Sequence, residues 1–391
     1  MAEKTRPSRR NRRSRSGEVK RVRPGTIDYS LFAVTVVLIL FGVIMVYSAS
    51  APYATRITGN PQYYFHRDLF FAGIGLIAMV LFSFISYRLY RKWAFLIYAG
   101  AFILCLLVFV PGIGVNINNS RRWIGFGEMT MMPSDLLKLA SVIFLSSFLA
   151  GQSEAENRSI DSLVKVIALM VVTIVPVYFQ PNFSAVMVLA LSLFLLYYIG
   201  GMNLKHLLIF LLLGAVGAAI AFWPYPGNYR LERLKIVFDP LSDPMHSGWQ
   251  LLQSLYAVSS GGLFGAGFGQ SRQKFDYLAD EPHNDFIFSV ISEELGFLGA
   301  LFVILALSFF IYRGLKAAGR AQTTFGRLLG YGLVLIISIQ SMVNIGVAIG
   351  LVPPTGITLP FISYGGSSLV VMCMIAGILL NISRDGSEEK K

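Results

Sequence analysis

Residues 29–50 read YSLFAVTVVLILFGVIMVYSAS, an apolar run without a charged side chain. About 20 such residues are needed for a helix to cross the hydrocarbon core of a bilayer. The end of the run, Ala49-Ser50-Ala51, resembles a signal-peptide cleavage site. However, the apolar core is too long for a signal peptide, and the basic region before it is far longer than a signal needs. The run is therefore predicted to be a retained membrane-spanning helix.

The rest of the chain has the same character. Its 391 residues are 55% hydrophobic and only 14% charged, with a mean hydropathy of +0.63, whereas soluble domains carry about 25% charged residues. Apolar runs of spanning length are predicted near 29–50, 68–87, 93–110, 134–150, 162–179, 182–200, 206–223, 285–311, 327–349 and 359–381. We therefore predict an all-α, polytopic membrane protein with about ten transmembrane helices.

Lys and Arg in the short loops predict the orientation, because cytoplasmic loops carry an excess of both. With the N-terminus inside, the inner loops hold Arg88, Arg91, Lys92, Arg158, Lys205, Arg313, Lys316, Arg320 and Arg327. Both termini are then cytoplasmic, and segments 51–67, 111–133 and 224–284 face outward. The last is a long outer loop between spans 7 and 8, with two short amphipathic pieces around 229–238 and 247–259.

The net charge of +12 is concentrated at the N-terminus. Ten Lys and Arg residues fall within residues 1–28, a basic tail that we predict to be disordered and held against anionic lipid. No nucleic-acid-binding fold follows it, so nucleic acid is not an expected partner. The membrane domain is predicted over 29–383, with a short cytoplasmic tail at 384–391. Cys105 and Cys373 lie in apolar runs and predict neither a disulfide nor a metal site.

A cationic cluster is predicted on the outer face. Arg121 and Arg122 run against the positive-inside trend, and Lys138 lies about one turn inside a span that begins near Pro133. A charge at bilayer depth costs about 2.5–3.5 kcal/mol on insertion scales, so it usually faces a polar cavity or a partner. Either Lys138 pairs with Asp135, or the three cations form a pocket for phosphate.

Residues 261–271 read GGLFGAGFGQS and superficially suggest a nucleotide-binding loop. No strand precedes them, no βαβ unit follows, and the Lys-Ser/Thr ending of a P-loop is missing, so both nucleotide motifs fail. The glycines are better explained by a re-entrant or surface-hugging loop that packs closely.

The segment that ends in HNDFIF at 283–288 contains the strongest candidate for chemistry. Asp285 stands at the outer mouth of a long span, where a carboxylate can act as a general base or hold a divalent cation against a diphosphate. It can equally cap the helix that follows. Glu293 and Glu294 lie too far along that helix to form one site with it.

A further outer segment, LVPPTGITLPFISYGGSS at 351–368, is rich in Pro and Gly. Such residues break helices, and irregular backbone is tolerated at membrane depth only where it is buried in protein or lines a cavity. The segment is therefore predicted to be bent or re-entrant.

Together these motifs resemble the SEDS family of bacterial cell-wall proteins, which includes FtsW, RodA and SpoVE, over residues 28–383. The resemblance rests on RRWI at 121–124, Pro133-Ser134 with Lys138, the glycine loop, HNDFIF followed by EELG at 293–296, and LPFISYGGSS at 359–368. It implies the ten-span SEDS fold and peptidoglycan glycosyltransferase activity, in which lipid II is polymerised outside the cytoplasmic membrane. It also implies a class B penicillin-binding protein as partner, within the machinery of cell division or cell-shape maintenance. The long basic tail favours an FtsW-type role.

The resemblance also assigns roles to residues. Asp285 falls on the family's essential aspartate and is expected to take the proton of the acceptor hydroxyl or to organise the acceptor. Substrate-binding roles are expected for Arg121, Arg122, Lys138, Glu281, His283, Ser367 and Ser368. The cations would stabilise the undecaprenyl diphosphate leaving group, with Mg²⁺ or Mn²⁺ as a candidate cofactor.

The chain departs from the family pattern in three places. Asn182 replaces an aspartate, which puts any metal or substrate role of that carboxylate in doubt. The loop before Asp285 is one residue longer, so Glu281 is a less secure site residue, and Asp135 replaces a glutamate.

Two other functions compete with glycan synthesis. A lipid II flippase or secondary transporter would place coupling charges near the midplane and often shows inverted repeats, whereas the polar motifs here cluster at one face. A non-catalytic scaffold for the penicillin-binding protein would use the basic tail for docking.

Overall fold

The computed structural model describes residues 25–117, 120–126, 129–224, 229–242, 248–276, 278, 282–354 and 356–385. Most of these residues are helical. The helices are α1 (Tyr29–Thr58), α2 (Tyr63–Phe84), α3 (Tyr87–Leu107), α4 (Pro133–Ala150), α5 (Glu154–Asn157), α6 (Ile160–Phe179), α7 (Phe183–Ile199), α8 (Leu204–Ala221), α9 (Tyr229–Phe238), α10 (Trp249–Ser260), α11 (Gln273–Asp276), α12 (Ile287–Gly319), α13 (Thr324–Ala348) and α14 (Ser367–Asp385). A single 3₁₀ turn, Pro240–Ser242, separates α9 from α10.

The predicted polytopic membrane fold is confirmed. Within the described ranges, nine helices are long and apolar enough to cross a membrane, and α7 is a further apolar helix of 17 residues. These ten helices coincide with the ten predicted spans. The two amphipathic pieces of the long loop are α9 and α10, and the predicted basic tail at 1–28 lies outside the described residues up to residue 24.

The structure adds a small sheet to the predicted fold and moves the start of one span. The outer segment between α3 and α4, for which no strands were predicted, contains a small antiparallel sheet, β1 (Gly114–Ile117), β2 (Ser120–Phe126) and β3 (Met129–Met131), in the order β1-β2-β3. The last span begins at Ser367 rather than at residue 359, because Pro360 and the glycine pair before α14 keep the backbone out of the helix. The chain is therefore helical across the membrane but not purely α-helical.

The centre of the bundle is formed by α4, α13 and α14. Between 72% and 78% of the residues in their apolar windows are buried, against 11% for α8 at the periphery. Gly75 on α2 allows α14 to approach closely, since a β-carbon there would lie 2.8 Å from Sγ of Cys373. The three central helices carry several buried polar side chains, among them Lys138, Gln340, Asn344 and Ser368.

The first and last described residues of the chain meet at one face of the bundle, called here the terminus face. Asp28 caps α1 by accepting hydrogen bonds from Ser30 N and Leu31 N, and it accepts two more from the guanidinium of Arg313 on α12. The backbone N–H of Gly25 donates to the carbonyl of Arg384 at the end of α14. The opposite face carries the three strands and the irregular segment 351–366 and is called the sheet face.

The glycine-rich segment 261–271 packs directly against a kink in α12. Gly296 has a left-handed φ of 66° inside that helix, and the carbonyls freed by the kink, those of Glu293 and Glu294, accept hydrogen bonds from Ala266 N and Gly267 N. A β-carbon on Gly296 would lie 2.3 Å from the nitrogen of Gly265. The glycines therefore permit this close packing, in agreement with the interpretation of the sequence.

A buried ion pair closes this junction. Nζ of Lys274 lies 2.6 Å from a carboxylate oxygen of Glu294, and both side chains are almost fully buried. The hydroxyl of Ser48 on α1 donates to the same carboxylate, and the adjacent Glu293 accepts from the backbone N–H of Arg272. These glutamates therefore attach the glycine-rich segment to α12 and lie apart from Asp285, as predicted.

Breaking this pair should destabilise the protein. Lys274→Met or Glu294→Leu alone leaves an uncompensated buried charge, which typically costs about 3–5 kcal/mol, whereas replacing both charges by apolar groups is often nearly neutral. We expect each single variant to lower the melting temperature in detergent, and the double variant to regain most of the loss. Additive losses in the double variant would contradict this account of the pair.

Candidate active site on the sheet face

The two adjacent arginines of β2 point in different directions. Successive side chains of a strand lie on opposite faces, and accordingly Arg121 is exposed while Arg122 is half-buried. The guanidinium of Arg122 donates to the carbonyls of Gln180 and Pro181 at the turn between α6 and α7. Only Arg122 is therefore held against the bundle.

Asp285 lies in the turn before α12 and is half-buried. It does not cap that helix: the N-cap residue is Phe286, which has no side-chain capping bond. Instead the turn is fixed from α13, where Nδ2 of Asn344 donates to the main-chain carbonyl of Asp285 at 3.0 Å. The carboxylate of Asp285 is therefore not committed to helix capping.

Gly356 brings the carboxylate and the guanidinium together. A β-carbon on this glycine would lie 3.6 Å from Oδ2 of Asp285 and 3.7 Å from Nη1 of Arg122. The glycine also has a left-handed φ of 73°, a conformation that other residues rarely adopt. A carboxylate oxygen and a guanidinium nitrogen therefore both lie beside Gly356.

Lys138 is buried one turn inside α4. Its ammonium lies 2.7 Å from Oδ1 of Asp135 and donates to Oε1 of Gln340 at 2.8 Å. The side chains of Lys138 and Asp135 are only 4% and 2% exposed. The pairing with Asp135 that the sequence left open is therefore present, and it offsets the lysine's charge.

Ser367 and Ser368 begin α14 beside this cluster. The hydroxyl of Ser367 accepts from the backbone N–H of Met132, just before α4. The hydroxyl of Ser368 lies 3.2 Å from that of Thr358, which in turn lies within hydrogen-bonding distance of Gln340. Both serines therefore connect α14 to the elements around Lys138.

His283 is fully buried within three tyrosine rings. Its ring centroid lies 4.4 Å from that of Tyr64, 5.3 Å from that of Tyr364 and 5.8 Å from that of Tyr53. Burial lowers the pKa of His283 to about 3, so the ring is neutral at neutral pH and adds no charge to the site. Glu281, the other residue predicted from this segment, lies outside the described residues.

Asn182, which replaces the family aspartate, has a local role. Its side-chain oxygen caps α7 by accepting from Ala185 N, and its amide lies 3.5 Å from the hydroxyl of Ser134 on α4. An asparagine fulfils the capping role as well as an aspartate does, so the loss of the carboxylate leaves this turn intact.

Gln340 and Asn344 were not predicted from the sequence to belong to the site. They lie four residues apart on α13, and each is 1% exposed. Both side chains donate to the irregular segment: Gln340 to the carbonyl of Thr358 and Asn344 to that of Ile357. Two amides one turn apart in an otherwise apolar span were visible in the sequence, since polar groups at that depth normally face a partner.

A divalent cation would depend on its substrate for ligands. Among the described residues, no group of three or more His, Cys, Asp or Glu side chains gathers to hold a metal ion. Mg²⁺ commonly binds through one or two carboxylates together with substrate phosphates and water, and Asp285 would supply one such carboxylate.

Comparison with known proteins places this arrangement in a family. The profile described as Cell cycle protein, for FtsW, RodA and SpoVE, matches residues 28–388. Stage V sporulation protein E of Bacillus subtilis is 41% identical over 91% of this chain and 97% of its own length. A probable peptidoglycan glycosyltransferase FtsW of Thioalkalivibrio sulfidiphilus is 37% identical over 93% of this chain and 90% of its own length.

Solved structures show the same fold. A chain from a peptidoglycan synthase complex that coordinates polymerization and crosslinking matches with a TM-score of 0.77 and 27% identity, over 93% of this chain and 99% of its own. The rod shape determining protein RodA of Thermus thermophilus matches with a TM-score of 0.68 and 25% identity, over 93% of this chain and 98% of its own. The chain belongs to the SEDS family of FtsW, RodA and SpoVE proteins.

Proposed function

We propose that this protein is a peptidoglycan glycosyltransferase that polymerises lipid II on the outer face of the cytoplasmic membrane. Its relatives include proteins named as probable peptidoglycan glycosyltransferases, and these cover nearly the whole chain. Asp285 is the catalytic base or the carboxylate that organises the acceptor. The protein serves cell division or cell-shape maintenance.

One observation carries the assignment of the site. Oδ2 of Asp285 and Nη1 of Arg122 both lie beside Gly356, 3.6 and 3.7 Å from the position that a β-carbon on this glycine would occupy. Glycosyl transfer from a lipid-linked donor needs both groups, because a proton leaves the attacking hydroxyl while negative charge grows on the departing diphosphate. Asp285 can accept the proton, and Arg122 can stabilise the negative charge.

The reaction follows from these positions. The 4-hydroxyl of an acceptor sugar attacks the anomeric carbon of the donor, the bond from that carbon to the diphosphate oxygen breaks, and undecaprenyl diphosphate leaves. Asp285 accepts the hydroxyl proton, and Arg122 stabilises the diphosphate oxygens. A single displacement inverts the anomeric configuration and forms no covalent intermediate with the protein. Mg²⁺ or Mn²⁺, when bound, would supply further positive charge to the diphosphate.

Lys138 has an indirect part in this scheme. Its ammonium is buried and paired with Asp135, whereas Nη1 of Arg122 lies beside Gly356, as Oδ2 of Asp285 does. Exposed Arg121 on the other side of β2 suits the more distant parts of an anionic lipid substrate.

The partner is a class B penicillin-binding protein that supplies the transpeptidase. The support is the match to a chain of a peptidoglycan synthase complex. For the site to meet lipid II outside the cell, the sheet face must be the outer face and both termini must be cytoplasmic. The excess of Lys and Arg in loops of the terminus face supports that orientation.

Neutralising Asp285 tests the chemistry. We expect Asp285→Asn to slow lipid II polymerisation by the purified complex by about 10²–10⁴-fold, the range that general acid–base groups contribute. Asp161→Asn, which removes an exposed carboxylate near the terminus-face end of α6, should leave the rate unchanged. Polymerisation by Asp285→Asn at the wild-type rate would refute the assignment.

Labelling of single cysteines tests the orientation. The native Cys105 and Cys373 are both buried, so background labelling should be low. A membrane-impermeant maleimide applied to intact spheroplasts should label Asn116→Cys on the sheet and should reach Glu156→Cys on the terminus face only after permeabilisation. The reverse pattern would place the proposed active site in the cytoplasm and exclude the proposed reaction.

A further inference from the structure

Two buried amides of α13 connect the parts of the site that the sequence presents separately. Gln340 and Asn344 are four residues apart, so they lie on one side of the helix, one turn from each other. Their side chains point at consecutive residues of the irregular segment: Nδ2 of Asn344 donates to Ile357 O at 2.7 Å, and Nε2 of Gln340 donates to Thr358 O at 3.1 Å.

Each amide has a second partner on another element. Oε1 of Gln340 accepts from the ammonium of Lys138 on α4 at 2.8 Å. Nδ2 of Asn344 donates to the main-chain carbonyl of Asp285, in the turn before α12, at 3.0 Å. One amide therefore joins the irregular segment to the lysine, and the other joins it to the carboxylate-bearing residue.

The chemistry of the side chains matches this double task. An amide side chain offers two donors and one acceptor without carrying charge. Gln340 can therefore bind the ammonium of Lys138 and a main-chain carbonyl at the same time. Satisfying the two carbonyls of the irregular segment would need only one donor apiece. The additional hydrogen bonds to Lys138 and to Asp285 hold these two residues in place relative to the irregular segment.

The neighbouring residue of the segment shows what is being placed. Gly356 precedes Ile357 and lies beside both Asp285 and Arg122. Hydrogen bonds to the carbonyls of Ile357 and Thr358 hold the backbone next to Gly356 in place. The hydrogen bond to the carbonyl of Asp285 holds that residue in place relative to this backbone. A shift of about 1 Å in such an arrangement can reduce a rate about 100-fold.

We propose that Gln340 and Asn344 are positioning residues, which set the placement of Asp285 relative to Gly356 and Arg122. The proposal rests on the proposed function, since it concerns the geometry of the same reaction. Neither side chain contacts the substrate in this scheme. Their removal should therefore reduce turnover more than substrate binding.

The test separates kcat from KM for lipid II polymerisation by the complex with its transpeptidase partner. Asn344→Leu keeps the size of the side chain and removes its donors. We expect it to lower kcat by about 100-fold, with KM for lipid II within about threefold of wild type. Ser341→Ala is the matched control, because Ser341 is a buried polar residue of the same helix whose hydroxyl has no hydrogen-bond partner among the described residues.

A pair of variants at Gln340 keeps the proposal testable if Asn344→Leu does not fold. Gln340→Glu retains an acceptor for Lys138 and loses the donor to Thr358, whereas Gln340→Met loses both. The proposal predicts the order wild type, Gln340→Glu, Gln340→Met in kcat. The melting temperatures should follow the other order for the two variants, because Gln340→Glu buries an additional carboxylate beside Asp135.

Three results would overturn the inference. These are wild-type kcat in folded Asn344→Leu, equal kcat in the two Gln340 variants, or a loss in Ser341→Ala as large as that in Asn344→Leu. Failure of the proposed function is distinguishable, because it appears as normal polymerisation by Asp285→Asn, whatever the amide variants do.

Discussion

The site depends on the satisfaction of main-chain carbonyls in a segment that cannot be helical. Residues 356–366 enter the membrane bundle without forming a regular helix, and each buried unsatisfied carbonyl would cost about 1–3 kcal/mol. Hydrogen bonds from Gln340 and Asn344 to Thr358 and Ile357 meet this requirement. Because the segment is held there, Gly356 can lie beside Asp285 and Arg122. The irregular backbone at residues 356–358 is therefore what brings Gly356 next to Asp285 and Arg122.

Charge is distributed unequally around this segment. Lys138 is buried and paired with Asp135, and the ring of His283 is neutral because burial lowers its pKa to about 3. The half-buried guanidinium of Arg122 lies beside Gly356, as the carboxylate of Asp285 does. A second buried pair, Lys274 with Glu294, lies in the junction between the glycine-rich segment and α12. The two buried pairs thus support the framework of the bundle.

The membrane-spanning helices could be predicted from the sequence, whereas most contacts within the candidate site could not. Spans such as 29–50 follow from apolar length alone, since the bilayer sets a minimum. The sheet at 114–131 was missed because its strands are short and lack a clear alternation of polar and apolar residues. Family resemblance, rather than any local pattern, singled out Asp285. Its contact with Asn344 joins residues 59 positions apart, and such long-range pairing leaves no mark in a single sequence.

The central claim is that Asp285 and Arg122, which both lie beside Gly356, act on the same substrate. The most direct measurement is an experimental structure of the protein with its transpeptidase partner and bound undecaprenyl diphosphate. The diphosphate should lie within hydrogen-bonding distance of the Arg122 guanidinium, on the side of Gly356 that Asp285 faces. A diphosphate bound elsewhere, out of reach of both Arg122 and Asp285, would contradict the account.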